Sequence, residues 1–136
     1  MKKENKKNNG MKWVIGIVLL VLVIALIVIL SKKENNYSQV GIDSFAQCLT
    51  EHGAVMYGAF WCPHCARTKA RFGTSFKYIT YVECDPRGEN EQSELCIEKK
   101  IEAYDTWEFI DGSMVVGEPS FELLSQKSGC PAPEVG

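Results

Sequence analysis

The sequence predicts an α/β fold, with a mixed four-stranded sheet flanked by helices and preceded by one N-terminal transmembrane helix. An unbroken apolar run of 18 residues occupies positions 13–30. In the remaining chain β-rich and helical segments alternate, and an Asp-Gly turn joins the last two β-rich runs. Alternating strands and helices favour parallel pairing, and the hairpin adds an antiparallel edge to the sheet.

The apolar run at 13–30 has the length of a membrane span. As a helix it extends about 27 Å, close to the bilayer core of about 30 Å. More lysines precede it than follow it: Lys2, Lys3, Lys6, Lys7 and Lys12 before, Lys32 and Lys33 after. The positive-inside rule therefore places residues 1–12 in the cytoplasm and the rest of the chain outside. We expect a single-pass anchor in the cell membrane.

A cleaved signal peptide is the alternative interpretation of this run. Its apolar region is normally about 7–15 residues long and ends in a small-residue cleavage site. The run here is longer, and the residues from Ile29 to Lys33 make a poor cleavage site. We therefore favour an uncleaved anchor.

The rest of the chain reads as a tether at 31–41, one domain at 42–130 and a tail at 131–136. From residue 34 onward it has 16 acidic and 8 basic residues, a formal charge of −8. Such an acidic domain argues against nucleic-acid binding. All six cysteines fall in this part, and an even number fits an oxidising compartment with up to three disulfides.

Each element of the predicted domain has its own boundary signals. Asp43 is suited to cap the first helix, and Gly53, Gly73 and Gly129 are suited to end helices. Asp111-Gly112 is a hairpin turn between β-rich runs. The predicted helices cover 44–52, 63–72, 91–100 and 119–128. The predicted strands cover 54–60, 79–84, 106–110 and 113–117, so the order is α-β-α-β-α-β-β-α.

The segment Trp61-Cys62-Pro63-His64-Cys65 places two cysteines at C-x-x-C spacing between a predicted strand and a predicted helix. The helix N-terminus offers unpaired N–H groups and the positive end of its dipole to the Cys62 sulfur, which favours a thiolate. Pro63 fits the first turn because it has no N–H to leave unpaired. We predict that Cys62 is an exposed attacking thiolate and that Cys65, one turn further in, resolves the mixed disulfide.

Residues beside this pair have expected roles of their own. His64 is a polar or cationic neighbour that further stabilises a thiolate, and Trp61 offers an apolar surface for docking. Phe60 and Trp107 are large apolar residues, for which a place in the core is the more common outcome.

A structural disulfide or half of a zinc site would use the same C-x-x-C spacing. Zinc needs a second pair of ligands, and Cys84 and Cys96 are too far apart in sequence to form one. We therefore prefer redox chemistry, and expect neither a resident metal nor a cofactor.

Four cysteines remain. Cys84 and Cys96 flank the loop 85–95 and form a candidate second disulfide, with a second redox pair as the alternative. Neither lies at a predicted helix N-terminus that would activate its thiol, which favours the structural role. Cys48 and Cys130 form a candidate third disulfide that links the first helix to the tail, although six cysteines allow several other connectivities.

The segment from Gly53 to Cys65 resembles the thioredoxin-like domain that accompanies bacterial vitamin K epoxide reductase homologues. The same pattern is fitted by Tyr81-Val82-Glu83-Cys84, Cys96, Thr106-Trp107 and Ser128-Gly129-Cys130. The resemblance implies a thioredoxin-like fold. It also implies electron exchange between thiols or disulfides of secreted or membrane proteins and a quinone-linked, vitamin K epoxide reductase-like membrane protein. With its single predicted span, this chain would supply only the soluble redox half.

Two positions depart from the pattern of thioredoxin-like proteins. These proteins usually carry a buried acid in the first core strand, where this chain has Met56. They also place a cis-proline before the third strand, and in Tyr104-Asp105-Thr106 that position is Asp105. We expect these three residues to modulate the active site, with the Asp105 carboxylate near Cys62, where it would disfavour the thiolate. The alternative is an Asp105 side chain turned to solvent.

These observations predict a membrane-anchored, extracytoplasmic thiol–disulfide oxidoreductase that supports disulfide formation. Pro63-His64 is the dipeptide of DsbA-type oxidants, and this resemblance implies a reduction potential above that of thioredoxin. The alternative is a metal- or iron–sulfur-binding module, in which loss of the proline lets a soft metal reach Cys62 and Cys65. Two thiolates are too few for a closed site, so Asp105 or a second copy of the chain would have to complete it.

Overall fold

The computed structural model describes residues 8–31 and 37–134, and the chain divides between residues 35 and 36 into two units. The first unit is the helix α1, Asn8–Ser31. Its segment Gly10–Ile27 is long and apolar enough to cross a membrane. The side chains from 10 to 27 are exposed around the whole helix, as expected for a span that faces lipid. Most of the predicted cytoplasmic segment and the residues 32–36 of the predicted tether lie outside the described residues.

The second unit is an α/β domain. Its helices are α2 (Gln39–Glu51), α3 (Pro63–Phe72), a 3₁₀ helix (Gly73–Tyr78), α4 (Ser93–Glu98) and α5 (Phe121–Ser128). Its strands are β1 (Val55–Gly58), β2 (Thr80–Glu83), β3 (Thr106–Glu108) and β4 (Met114–Val116), in the sheet order β2-β1-β3-β4. β1 pairs with β2 in parallel and with β3 antiparallel, and β3 and β4 form the hairpin. The mixed four-stranded sheet is confirmed.

Helices cover both faces of this sheet because successive side chains along each strand point to opposite sides. On one face Met56 of β1 and Trp107 of β3, both fully buried, pack in a cluster with residues of α2, α3 and α5. On the other face Tyr57 of β1 and Val82 of β2 share a smaller cluster with two cysteines. The predicted core position of Trp107 is therefore confirmed.

The start of the domain differs from the prediction. α2 begins at Gln39, not at 44, and its N-cap is Ser38, whose Oγ accepts from the Gly41 amide at 3.2 Å. Asp43 was the predicted cap, but its carboxylate accepts instead from the Ser75 hydroxyl at 2.5 Å. The end of the predicted tether is thus helical, and Pro133 of the predicted tail is buried beside Gly41.

Candidate active site

The C-x-x-C pair lies where the chain leaves β1 and enters α3. Cys62 is the N-cap of α3 in extended conformation, and Pro63 is the first helical residue. The Cys62 Sγ accepts from the Cys65 backbone amide at 3.5 Å. Cys62 and Cys65 are the free cysteines, and the helix N-terminus is directed at the Cys62 sulfur. This is the setting that favours a thiolate.

Both cysteines are buried, as the sequence predicted for Cys65 but not for Cys62. Cys62 is 4% exposed and Cys65 1%, so the prediction of an exposed attacking thiolate is wrong for Cys62 in this conformation. The reason is packing, because both residues belong to the main core cluster beneath the helix. Burial also raises the pKa of the Cys65 thiol, and the nearby charges of Cys62 and Asp105 act in the same direction.

A charged cluster lies beside the pair on the exposed side of α3. The Glu118 carboxylate accepts from Nε of Arg67 at 2.9 Å and lies 2.6 Å from Nδ1 of His64. The two cationic or polar partners, Arg67 first, lower the pKa of Glu118 to about 2. Although His64 was predicted as a neighbour of the thiolate, its ring nitrogen is engaged by this carboxylate.

Aromatic side chains form the other border of the site. Trp61 is 54% exposed, donates from Nε1 to Asp85 at 2.6 Å, and meets Tyr104 edge to face at 6.1 Å. Hydrogen bonds from Arg87 and then from Trp61 hold the pKa of Asp85 well below its usual range. Phe60 is 56% exposed, so its predicted core position is wrong. It lies two residues beyond the end of β1, where the chain has left the sheet, and its ring is at the surface.

Asp105 is fully buried, which excludes the alternative of a side chain turned to solvent. The Tyr104–Asp105 peptide bond is cis. One carboxylate oxygen, Oδ2, accepts from the Thr68 hydroxyl at 2.7 Å, and the other, Oδ1, has no hydrogen-bond partner among the described residues. The adjacent Thr106 is also buried and donates from its hydroxyl to the Ala103 carbonyl at 2.7 Å.

A second buried carboxylate, Glu83, was not singled out from the sequence. It is 5% exposed at the end of β2. Its Oε1 accepts from the amides of Phe60 and Asp85, and its Oε2 accepts from the Tyr81 hydroxyl at 2.7 Å. The available signal was an acidic residue inside the β-rich run ITYVEC, where the pattern otherwise predicts burial.

The other four cysteines form two disulfides, Cys84–Cys96 and Cys48–Cys130. These are the two candidate pairs named from the sequence. Among the described residues, one group of three side chains could hold a metal ion, and it consists of Cys48, Cys130 and His52. Two of those ligands are bonded to each other. No such group includes Cys62 and Cys65, so nothing in the described part of the chain favours the metal-binding alternative.

The C-x-x-C pair lies at the start of the helix that follows a central strand of the β2-β1-β3-β4 sheet, which is the local arrangement of a thioredoxin-type redox motif. The chain matches none of the known protein-family profiles. It is similar to the thiol-disulfide oxidoreductase LTO1 of Arabidopsis thaliana, with 37% identity over 90 residues. The alignment covers 63% of this chain and 24% of the relative, so the chain spans about a quarter of that protein's length.

Proposed function

We propose that this protein is a thiol–disulfide oxidoreductase whose redox pair is Cys62 and Cys65. The observation that supports this most is the contrast among six cysteines. Four are joined in two disulfides, while the remaining pair sits at C-x-x-C spacing on the N-terminus of α3. The similarity to a thiol-disulfide oxidoreductase supports the same chemistry.

In the proposed reaction, the Cys62 thiolate attacks a substrate disulfide and forms a mixed disulfide, releasing one substrate thiol. Cys65 then attacks the Cys62 sulfur, closes the Cys62–Cys65 bridge and releases the second substrate thiol. In the oxidising direction the same steps run backwards, starting with a substrate thiolate that attacks the bridge. Because Cys62 is buried in the described conformation, a substrate must displace part of its cover to reach the sulfur.

We propose that α1 anchors the domain in the cell membrane, with residues 1–12 in the cytoplasm and the domain outside. The lysine asymmetry around the apolar run and the two disulfides both support this orientation. A membrane-impermeant maleimide applied to intact cells under reducing conditions tests it. Labelling of the cysteines before lysis is expected, whereas labelling only after lysis would contradict the orientation.

The direction of exchange is open to a direct measurement. We expect the reduction potential of the Cys62–Cys65 pair to lie above that of thioredoxin, about −270 mV, because its Pro63-His64 dipeptide resembles that of DsbA-type oxidants. Equilibration of the full chain with glutathione buffers gives this value. A potential at or below that of thioredoxin would identify a reductase.

Substrates in this proposal are thiols or disulfides of secreted or membrane proteins. The redox partner is a vitamin K epoxide reductase-like membrane protein, which the sequence resemblance suggests. A Cys65→Ser variant cannot resolve the mixed disulfide at Cys62 and should trap these proteins covalently. Recovery of a multi-span, quinone-linked protein would support the partner. The double variant Cys62→Ser, Cys65→Ser is the control. If it retains the same proteins as Cys65→Ser, Cys62 has no exchange partner among them.

A further inference from the structure

The resolving step requires that Cys65 lose a proton, and the site must provide a place for it. Cys65 is 1% exposed, and burial raises the pKa of its thiol. Bulk water is therefore a poor acceptor. Strand β1 offers no acid beneath the pair, because its fully buried side chain there is Met56.

Three buried carboxylates lie around the pair, Glu83 from β2, Asp85 from the loop after it and Asp105 from the loop before β3, and the oxygens of Asp85 accept from Arg87 and Trp61. The oxygens of Glu83 are all engaged, since Oε1 accepts from two backbone amides and Oε2 accepts from Tyr81. Burial raises the pKa of Tyr81, so its hydroxyl keeps its proton and remains a donor to Glu83. Glu83 therefore has the pattern of a structural acceptor.

Asp105 has a different pattern. Its Oδ2 is fixed by the Thr68 hydroxyl at 2.7 Å, whereas its Oδ1 is buried without a donor among the described residues. Cys65 and Thr68 are three residues apart on α3, so they lie on the same face of the helix, and both are buried there. The bond to Thr68 thus holds the Asp105 carboxylate against the buried face of α3 that also carries Cys65, and its charge acts on the Cys65 thiol.

We infer that Asp105 is the proton acceptor for Cys65 when Cys65 resolves the mixed disulfide, and that Thr68 positions it. This role rests on the proposed function. In the mixed-disulfide state Oδ1 of Asp105, which has no donor among the described residues, comes within hydrogen-bond reach of the Cys65 thiol and takes its proton as Cys65 Sγ forms its bond to Cys62 Sγ. The bond between Cys62 Sγ and the substrate sulfur breaks, and its electron pair leaves on the substrate as a thiolate. In the reverse direction protonated Asp105 returns the proton to the departing Cys65 thiolate.

Other titratable groups also lie around the pair. The Glu118 carboxylate that accepts from Arg67 raises the pKa of this guanidinium, and the charges of Cys62 and Asp105 act in the same direction. Besides Cys65, the groups on which the charge of Cys62 acts are Arg67 on α3, Tyr81 on β2 and Tyr104 in the loop before β3. Glu83 acts on both tyrosines, and Asp85 acts on Tyr104. A test must therefore compare variants of one buried carboxylate with matched variants of another.

The test uses the reduced full chain in detergent micelles and 5,5′-dithiobis(2-nitrobenzoate), followed by stopped flow. The first coloured thiolate is released when Cys62 attacks, and the second when Cys65 resolves the mixed disulfide. We compare the wild type with Asp105→Asn, with Thr68→Val, and with Glu83→Gln as the matched control. Circular dichroism shows whether each variant is folded.

Asp105→Asn should leave the first phase as fast as in the wild type or faster, because the carboxylate no longer disfavours the Cys62 thiolate, and should slow the second phase about hundredfold or more at neutral pH. The second phase of this variant should then rise with pH by nearly a factor of ten per unit, because hydroxide must replace the lost acceptor. Thr68→Val should slow the second phase less while keeping the wild-type pH profile, which also provides a test if Asp105→Asn does not fold. Glu83→Gln should keep a wild-type second phase.

Two results would overturn the role of Asp105. One is a wild-type second phase and pH profile in Asp105→Asn together with an unchanged Thr68→Val. The other is a slow second phase in Glu83→Gln alone, which would move the acceptor to β2. A wild type that releases no second equivalent would instead contradict the proposed oxidoreductase function itself, and with it any resolving step.

Discussion

Two cysteine pairs follow two neighbouring parallel strands of the sheet and differ in what comes after each strand. After β1 the chain enters α3 within a few residues, with Cys62 as its N-cap and Cys65 one turn further on. After β2 it passes through a loop before α4, and Cys84 is bridged across this loop to Cys96. The Cys84 amide donates to the Gly58 carbonyl at 2.8 Å, so the two strand ends are adjacent.

Both pairs are buried, so burial does not distinguish a redox pair from a structural one. Position relative to a helix N-terminus distinguishes them. The Cys62 sulfur accepts a backbone N–H at the start of α3, whereas Cys96 lies within α4 and packs with Tyr57 and Val82. Polar surroundings differ as well. Ionised groups such as Glu118 and Arg67 border the first pair, whereas the second is enclosed by an apolar cluster.

The largest expected difference between the two pairs is in activity. Cys62→Ser should abolish disulfide exchange, because a serine hydroxyl cannot form the mixed disulfide. The double variant Cys84→Ser, Cys96→Ser should retain single-turnover exchange with a dithiol peptide, provided that it is assayed well below its melting temperature. Loss of single-turnover exchange in the folded double variant would show that the second pair relays electrons, the alternative left open by the sequence.

The Cys48–Cys130 bridge should contribute the most to stability. It joins residues 82 apart and ties α2 to the segment after α5. In the chain-entropy account, such a long closed loop stabilises the fold by about 4–5 kcal/mol. Urea denaturation of the double variant Cys48→Ala, Cys130→Ala, measured without reductant, should show a free energy of unfolding lower by this amount. Cys62 and Cys65 of this variant should still react as in the wild type.

The Cys84–Cys96 bridge should contribute less, because it joins residues only 12 apart. The same account gives about 3 kcal/mol for a loop of this size. The measurement is the free energy of unfolding of Cys84→Ala, Cys96→Ala beside that of the other bridge variant. A larger loss here than for Cys48–Cys130 would mean that lost packing around Tyr57 and Val82 outweighs chain entropy.

The fold was predictable from the sequence where local signals agreed. The sheet, the C-x-x-C helix and the hairpin follow from alternating patterns, a proline at a helix start and an Asp-Gly turn. The start of α2 was not predictable, because Ser38 and Asp43 are both suitable N-cap residues. Only the tertiary contact of Asp43 with Ser75 shows that Asp43 is occupied elsewhere.

The site was predictable in its cysteines and less so in its surroundings. Spacing alone identified Cys62 and Cys65, but the burial of Cys62 depends on how the loop packs against the core. Asp105 stood out because it replaces an expected proline. Its bond to Thr68 joins residues 37 apart in sequence, which no local pattern reveals. For Glu83 the β-rich run around it was a local signal of burial, but its bond to the Phe60 amide, 23 residues away, was not predictable from a local pattern.

The smallest expected effect concerns the charged cluster that borders only the reactive pair. Arg67 and His64 lower the pKa of Glu118 from 4.5 to about 2, so the folded state binds its proton less tightly than the unfolded chain. The stability that this carboxylate provides is complete above about pH 4.5 and is lost as pH falls towards about 2. Glu118→Gln should therefore reduce the urea midpoint slightly at pH 6 and not at pH 2, since much of the cluster is exposed and screened by solvent. Glu89→Gln, at an exposed loop carboxylate, is the control. An equal decrease of the urea midpoint at both pH values would mean that Glu118 stabilises the fold through packing. Its ion pairs with Arg67 and His64 would then make no contribution to the stability of the loop before α5.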